Sequence, residues 1–146
     1  MTLVRWMPRH DMVSMQQEIN RMFSNFFGDH TTDDYEAQWT PRLDVVEDKE
    51  HYIVRIDVPG MRKEDVKITL RENILTVRGE RTEEVKKDGE SYHIIERRFG
   101  KFSRSLTLPT NVQANKIEAK ITEGVLAISL PKAEDAKPRE ISISAE

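Results

Sequence analysis

The chain has 146 residues, enough for one domain with a hydrophobic core plus flanking arms, and no apolar run approaches the roughly 18 residues a membrane-crossing helix needs. It is 34% charged with a formal net charge of -3 and both signs interspersed, which excludes a basic field for nucleic acid. With no cysteines it can have neither a disulfide framework nor a thiolate metal site, and no signal peptide is apparent at the N-terminus, so a soluble protein of the cytoplasm is expected.

Residues 1–39 read as an N-terminal arm. Five of the six methionines lie here, with Trp6, Phe23, Phe26, Phe27, Tyr35 and Trp39. Met12, Met15, Ile19, Met22, Phe23, Phe26 and Phe27 fall at helical spacing, with Asp11 as N-cap and Gly28 as stop. Such a stripe of unbranched and aromatic side chains can adapt to many partners, or it can pack inside an assembly. A membrane-surface helix is the third option, and Asp11, Glu18 and Asp29 weigh against it by diluting attraction to anionic lipid. The polar stretch 29–38 reads as a linker.

Residues 40–132 read as all β. Val54, Ile56 and Val58 alternate with polar neighbours, as do Val66, Ile68 and Leu70, then Leu75 and Val77, then Phe102, Leu106 and Leu108. Ile117, Ala119 and Ile121 precede a turn at Glu123-Gly124, and Leu126, Ile128 and Leu130 follow it. Period-two alternation means strands with one face on a core. Pro59-Gly60, Glu72-Asn73, Asp88-Gly89 and Pro109 punctuate the runs. Short strands with regular turns and no intervening helix predict an antiparallel β-sandwich of immunoglobulin-like form.

Residues 80–98 do not fit a minimal sandwich. The stretch is dominated by charge, yet Ser91-Tyr92-His93-Ile94-Ile95 in its middle has strand character. It is either a long solvated hairpin loop or an arm carrying a strand to the edge of another sheet.

Arg104 shares the strand parity of Phe102, Leu106 and Leu108. A charge in the apolar phase needs a partner, so a subunit interface or a buried ion pair is expected unless a local bulge turns the side chain to solvent.

The last stretch, 133–146, is a polar tail in which Ile141 and Ile143 stand at period two. Burying each would contribute roughly 1.5–3 kcal/mol. Ordering three backbone residues opposes this by about 1–2 kcal/mol each. One tail would therefore bind weakly and reversibly, while many tails would hold an assembly by multivalency.

No catalytic constellation stands out. His10, His30, His51 and His93 match no metal spacing, and no nucleophile elbow or phosphate-cradling loop is present. The expectation is therefore no enzyme, no metal and no cofactor.

Four motifs in order resemble the small heat shock proteins, the α-crystallin family, in their bacterial form. They are the Val-Pro-Gly at Val58 to Gly60 with the strand running to Ile68, the Gly-x-Phe-x-Arg-x-Leu-x-Leu-Pro run from Gly100 to Pro109, the Ala-x-x-x-x-Gly-Val-Leu run from Ala119 to Leu126 followed by Pro131-Lys132, and Ile141-Ser142-Ile143. The resemblance implies an α-crystallin β-sandwich and dimers that exchange the strand of Ser91, Tyr92, His93 and Ile94, with Arg104 functionally sensitive. It implies that Ile141 and Ile143 tie dimers into a large homo-oligomer. It places the groove receiving them between the strand of Val66, Ile68 and Leu70 and the strand of Leu106 and Leu108. The implied activity is ATP-independent capture of unfolding client proteins. The N-terminal arm is too loosely patterned for the resemblance to carry over residue by residue, and Met12, Met15, Ile19, Met22, Phe23, Phe26 and Phe27 are the candidate client-contact stripe on the adaptability of their own side chains. Whether ATP-dependent chaperones then recover the clients is left open by the sequence. A dedicated adaptor for one partner is the competing reading, but it needs neither the Ile-x-Ile tail nor the apolar arm.

Overall fold

The computed structural model describes residues 15–19, 21–22 and 36–145. Met15 to Ile19, with Arg21 and Met22, are helical. The sequence-predicted cap at Asp11 and stop at Gly28, and the stripe residues Met12, Phe23, Phe26 and Phe27, lie outside the described residues.

Seven strands follow: β1 (Leu43–Glu47), β2 (His51–Asp57), β3 (Val66–Arg71), β4 (Ile74–Arg81), β5 (Gly100–Thr107), β6 (Glu118–Thr122) and β7 (Val125–Pro131). They form two antiparallel sheets, ordered β1-β2-β7-β6 and β3-β4-β5. Tight turns make two of the hairpins. Glu72 and Asn73 join β3 to β4 with φ of 49° and 63°, and Glu123 and Gly124 join β6 to β7 with φ of 52° and 78°. Two successive residues in the left-handed region give a turn whose twist matches the flanking strands.

The alternating residues meet between the sheets. Tyr52, Val54 and Ile56 of β2 and Ile128 and Leu130 of β7 face Leu75 and Val77 of β4 and Phe102 and Leu106 of β5. Gly79 stands directly opposite Phe102, and a Cβ there would come within 2.6 Å of the phenyl ring and 2.7 Å of the Asp65 carbonyl. The bare glycine is what lets this ring, fully buried, lie across its neighbour strand.

One side of the sandwich is closed by the stretch that leads into β1. The Gln38 amide donates to the Lys101 carbonyl at 2.7 Å, and Arg104 Nη1 donates to the Pro41 carbonyl at 2.9 Å. The stretch before β1 thus lies along β5, while β6 and β3 are the edge strands at the far ends of the two sheets.

β1 lies within the expected all-β region, although its adjacent Val45 and Val46 break the alternation. One expectation is corrected here. The groove between Val66–Leu70 and Phe102–Leu108 does not exist, since β4 fills that space within the same sheet. Leu106 and Leu108 are 7% and 3% exposed and belong to the core, so neither can receive a tail.

Candidate functional site

What this molecule offers a partner is unpaired strand edge beside apolar side chains in water. The first such place is the open side between β3 and β6. Val66, Ile68 and Leu70 of β3 are half-buried, as are Ile121 of β6 and Ile117 just before it. These side chains pack against the core, and each keeps part of its surface exposed. The sequence-predicted residues Val66, Ile68 and Leu70 thus lie on the edge strand of one sheet, each partly exposed, as Ile117 and Ile121 are at the edge of the other sheet.

The second place is β1. Its only hydrogen-bonded strand neighbour among the described residues is β2, so its other edge is open. A row of free N–H and C=O groups is a template for another strand.

Two segments carry the apolar groups that such surfaces would take. The loop 82–99 joins β4 to β5 and contains no strand within the single chain. Tyr92, Ile94 and Ile95 are 56%, 77% and 67% exposed. Ser91 and His93 are exposed beside them. The strand character of Ser91–Ile95 therefore has no partner strand in its own sheet. The tail after Lys137 has no regular structure up to Ala145, and Ile141 and Ile143 are exposed. In the N-terminal helix, Met15, Ile19 and Met22 are also exposed.

Arg104 stands opposite Val77, in the buried phase of β5, as strand parity implied. The residue is half-buried, and its Nη1 is bonded to the Pro41 carbonyl of its own chain. The structure thus brings Arg104 to the β5–β1 side, apart from Ser91, Tyr92, His93 and Ile94 on the loop.

Sequence reasoning missed the ties at the root of the tail. Lys132 is buried, its Nζ 2.6 Å from Glu47 Oε1 and 5.0 Å from the centroid of the Tyr52 ring. The hydrogen bond from Lys132 to Glu47 raises the lysine pKa against the opposing effect of burial. Lys137 Nζ bridges Glu50 at 2.8 Å and Glu134 at 2.9 Å, which raises its pKa and lowers that of Glu134. These contacts fasten the chain to the β1–β2 turn before the tail departs. The only signal in the sequence was a lysine directly after a strand-ending proline.

Among the described residues, no group of three or more His, Asp or Glu side chains could hold a metal ion. Among those residues, too, no helix is long and apolar enough to cross a membrane.

Comparison with known proteins agrees with this geometry. Residues 44–144 match the model of the Hsp20/alpha crystallin family. The small heat shock protein C4 of Rickettsia felis is 32% identical over 134 residues, covering 88% of this chain and 82% of that protein. The 22.0 kDa heat shock protein of Arabidopsis thaliana is 42% identical over 109 residues, covering 72% of this chain and 56% of that one. Among solved structures, a small heat-shock protein from Xylella fastidiosa superposes with a TM-score of 0.62 at 36% identity, over 75% of this chain and all of that one. Heat shock protein 16.0 of Schizosaccharomyces pombe superposes with a TM-score of 0.64, also at 36% identity, over 73% of this chain and 99% of that one.

Proposed function

This chain belongs to the Hsp20/alpha crystallin family of small heat shock proteins, which are ATP-independent chaperones, and from that premise we propose that it is a holdase: it binds proteins unfolding under stress and keeps them from aggregating. The observation that carries the reading is the coexistence of open strand edges with apolar side chains held in water on three separate segments. A stable monomer buries such groups.

The parts have distinct roles in this reading. The segment 1–39 contacts clients through Met12, Met15, Ile19, Met22, Phe23, Phe26 and Phe27. The sandwich, 40–132, is the rigid scaffold. Its loop carries Ser91, Tyr92, His93 and Ile94 to the open β1 edge of a second copy, making a strand-exchanged dimer, with Arg104 steadying the β5–β1 side. The tail, 133–146, inserts Ile141 and Ile143 between β3 and β6 of another copy, which replaces the groove expected from the sequence. Weak tails in number build a large homo-oligomer that releases subunits when warmed. Partners are therefore non-native proteins and further copies of this chain. ATP-dependent chaperones enter only if captured clients are refolded.

The test is light scattering of a heat-labile enzyme, warmed with and without the chain and without nucleotide. Suppression at near-stoichiometric amounts supports the holdase. No suppression by folded chain at a temperature that loosens its assembly would point to an adaptor for one defined partner.

A further inference from the structure

Every residue from Thr82 to Arg98 is exposed, so packing against the sandwich does not set the course of the loop. Its direction depends on the root, where Arg81 ends β4 and pairs with Gly100 at the start of β5. A single aromatic residue from elsewhere in the chain holds both sides of that root. Trp39, in the stretch before β1, lies under the Arg81 guanidinium with 4.0 Å from its carbon to the ring centroid. The same indole donates from Nε1 to the Gly100 carbonyl at 2.8 Å. Its ring meets Phe102 edge-on at 5.2 Å and so stands on the core. Arg81 in turn donates from Nη1 to the Pro59 carbonyl at 3.1 Å and lies 6.0 Å from the Phe99 ring.

We propose that Trp39 and Arg81 are positioning residues: together they fix the direction in which the loop 82–99 leaves the sandwich, and they tie that direction to the end of the N-terminal segment. The inference deepens the reading of this loop as the exchange element and rests on it for its consequence in the dimer.

The lever arm makes the point quantitative. Half the loop, extended at about 3.3 Å per residue, reaches roughly 30 Å from the root. A swing of about 20° there moves the tip by roughly 10 Å, which is two spacings between neighbouring strands. A strand end so displaced misses its register on a partner edge. Lysine could not replace Arg81, because only the planar guanidinium covers a ring and donates in its own plane at once. Phenylalanine could not replace Trp39, because it lacks the indole N–H that holds Gly100.

The absence of native cysteine makes the test direct. Spin labels are placed at Asp88→Cys on the loop and Thr69→Cys on β3 in the full-length chain, and labelled chains are diluted into excess unlabelled chain so that each measured distance is intramolecular. The expected result is a narrow distance distribution that at least doubles in width in Trp39→Ala and in Arg81→Gln. Val112→Ala, a partly buried site away from the root, is the stability control and should stay narrow. Unchanged widths in the two root variants would overturn the proposal, as would equal broadening in Val112→Ala. The dimer dissociation constant, measured on the same root variants, should rise at least tenfold. Deleting residues 83–93 separates the two ideas: a dimer that survives deletion ends the exchange reading, while the distance widths still decide what Trp39 and Arg81 do.

Discussion

The sandwich and its appendages spend apolar surface in opposite ways. Between the sheets, Tyr52, Val54, Ile56, Leu75, Phe102, Ile128 and Leu130 are fully buried. On the loop and tail, Ile94, Ile141 and Ile143 are 77%, 86% and 95% exposed. Residues of the same chemistry thus stabilise the monomer in one region and contribute nothing to it in the other. Stability and association are thus divided: the core can keep its fold while the appendages bind and release, because they share almost no buried surface.

The sharpest way to break that division is from the core. Phe102→Ala should remove about 3–5 kcal/mol of stability, a large share of the 5–15 kcal/mol typical of a domain. Its ring fills the space over Gly79 and meets Trp39, so no neighbour can collapse into the void without moving both. Thermal unfolding should show a markedly lower midpoint. A midpoint close to that of the unsubstituted chain would mean that the core tolerates the cavity and that monomer stability does not reside there.

The complementary test is on the appendage. Ile141→Ala with Ile143→Ala should leave the unfolding midpoint of the sandwich unchanged, because neither side chain is buried in it. Native mass should fall from a large assembly toward dimer, since each tail loses the roughly 1.5–3 kcal/mol per isoleucine that offsets its ordering. An assembly of unchanged mass would remove the tail from the proposed architecture.

The sequence made one of these regions far more legible than the other. Alternation assigned β2, β3, β4, β5 and β7 and the faces they bury, because period two is a local property of the chain. It could not assign who lies beside whom. Nothing in Val66–Leu70 or Phe102–Leu108 says that β4 sits between them, so the groove was misplaced and Leu106 and Leu108 were read as its lining. β1 breaks the alternation because Val46 is apolar on the outward face, 43% exposed. The stack of Arg81 on Trp39 joins residues far apart in sequence, and neither residue type at its position advertises the other. The loop's strand character was legible in Ser91–Ile95, but a strand without a neighbour is only a composition until a partner supplies its hydrogen bonds.

Between the two regions lies the root of the tail, where the expected effect is smaller. Lys132→Met should lower stability by about 1–2 kcal/mol, less than the strongest charge-assisted hydrogen bonds, because Glu47 is 51% exposed and can regain water. The pH dependence gives this test its direction. The folded-state pKa of Lys132 is raised, so its contribution is fully present below the ordinary lysine value of 10.5 and is lost as pH rises through the raised value. The difference between wild type and variant in urea unfolding should therefore hold from neutral pH and shrink in strong alkali. A constant difference into alkali would assign the effect to packing of the lysine stem against Tyr52.

The smallest effect belongs to the β1–β2 turn to which the tail root is fastened. Asp48 Oδ1 accepts from the backbone amides of Glu50 and His51, each at 2.7 Å, and these bonds lower its pKa from the ordinary 3.8. The sign is opposite to that of Lys132. A depressed carboxylate pKa contributes stability that is present above the ordinary value and is lost as pH falls through the lowered one. Asp48→Asn keeps the turn-forming acceptor and removes only the charge, so the two chains should differ slightly at neutral pH and converge in acid. Because Asp48 is exposed, salt should shrink the neutral-pH difference as well. The thermal midpoints of the two chains, followed from neutral pH into acid, check this; a gap that widens in acid would mean the carboxylate is not what holds the turn, and that the fastening of the tail begins at Lys132 and Lys137 alone.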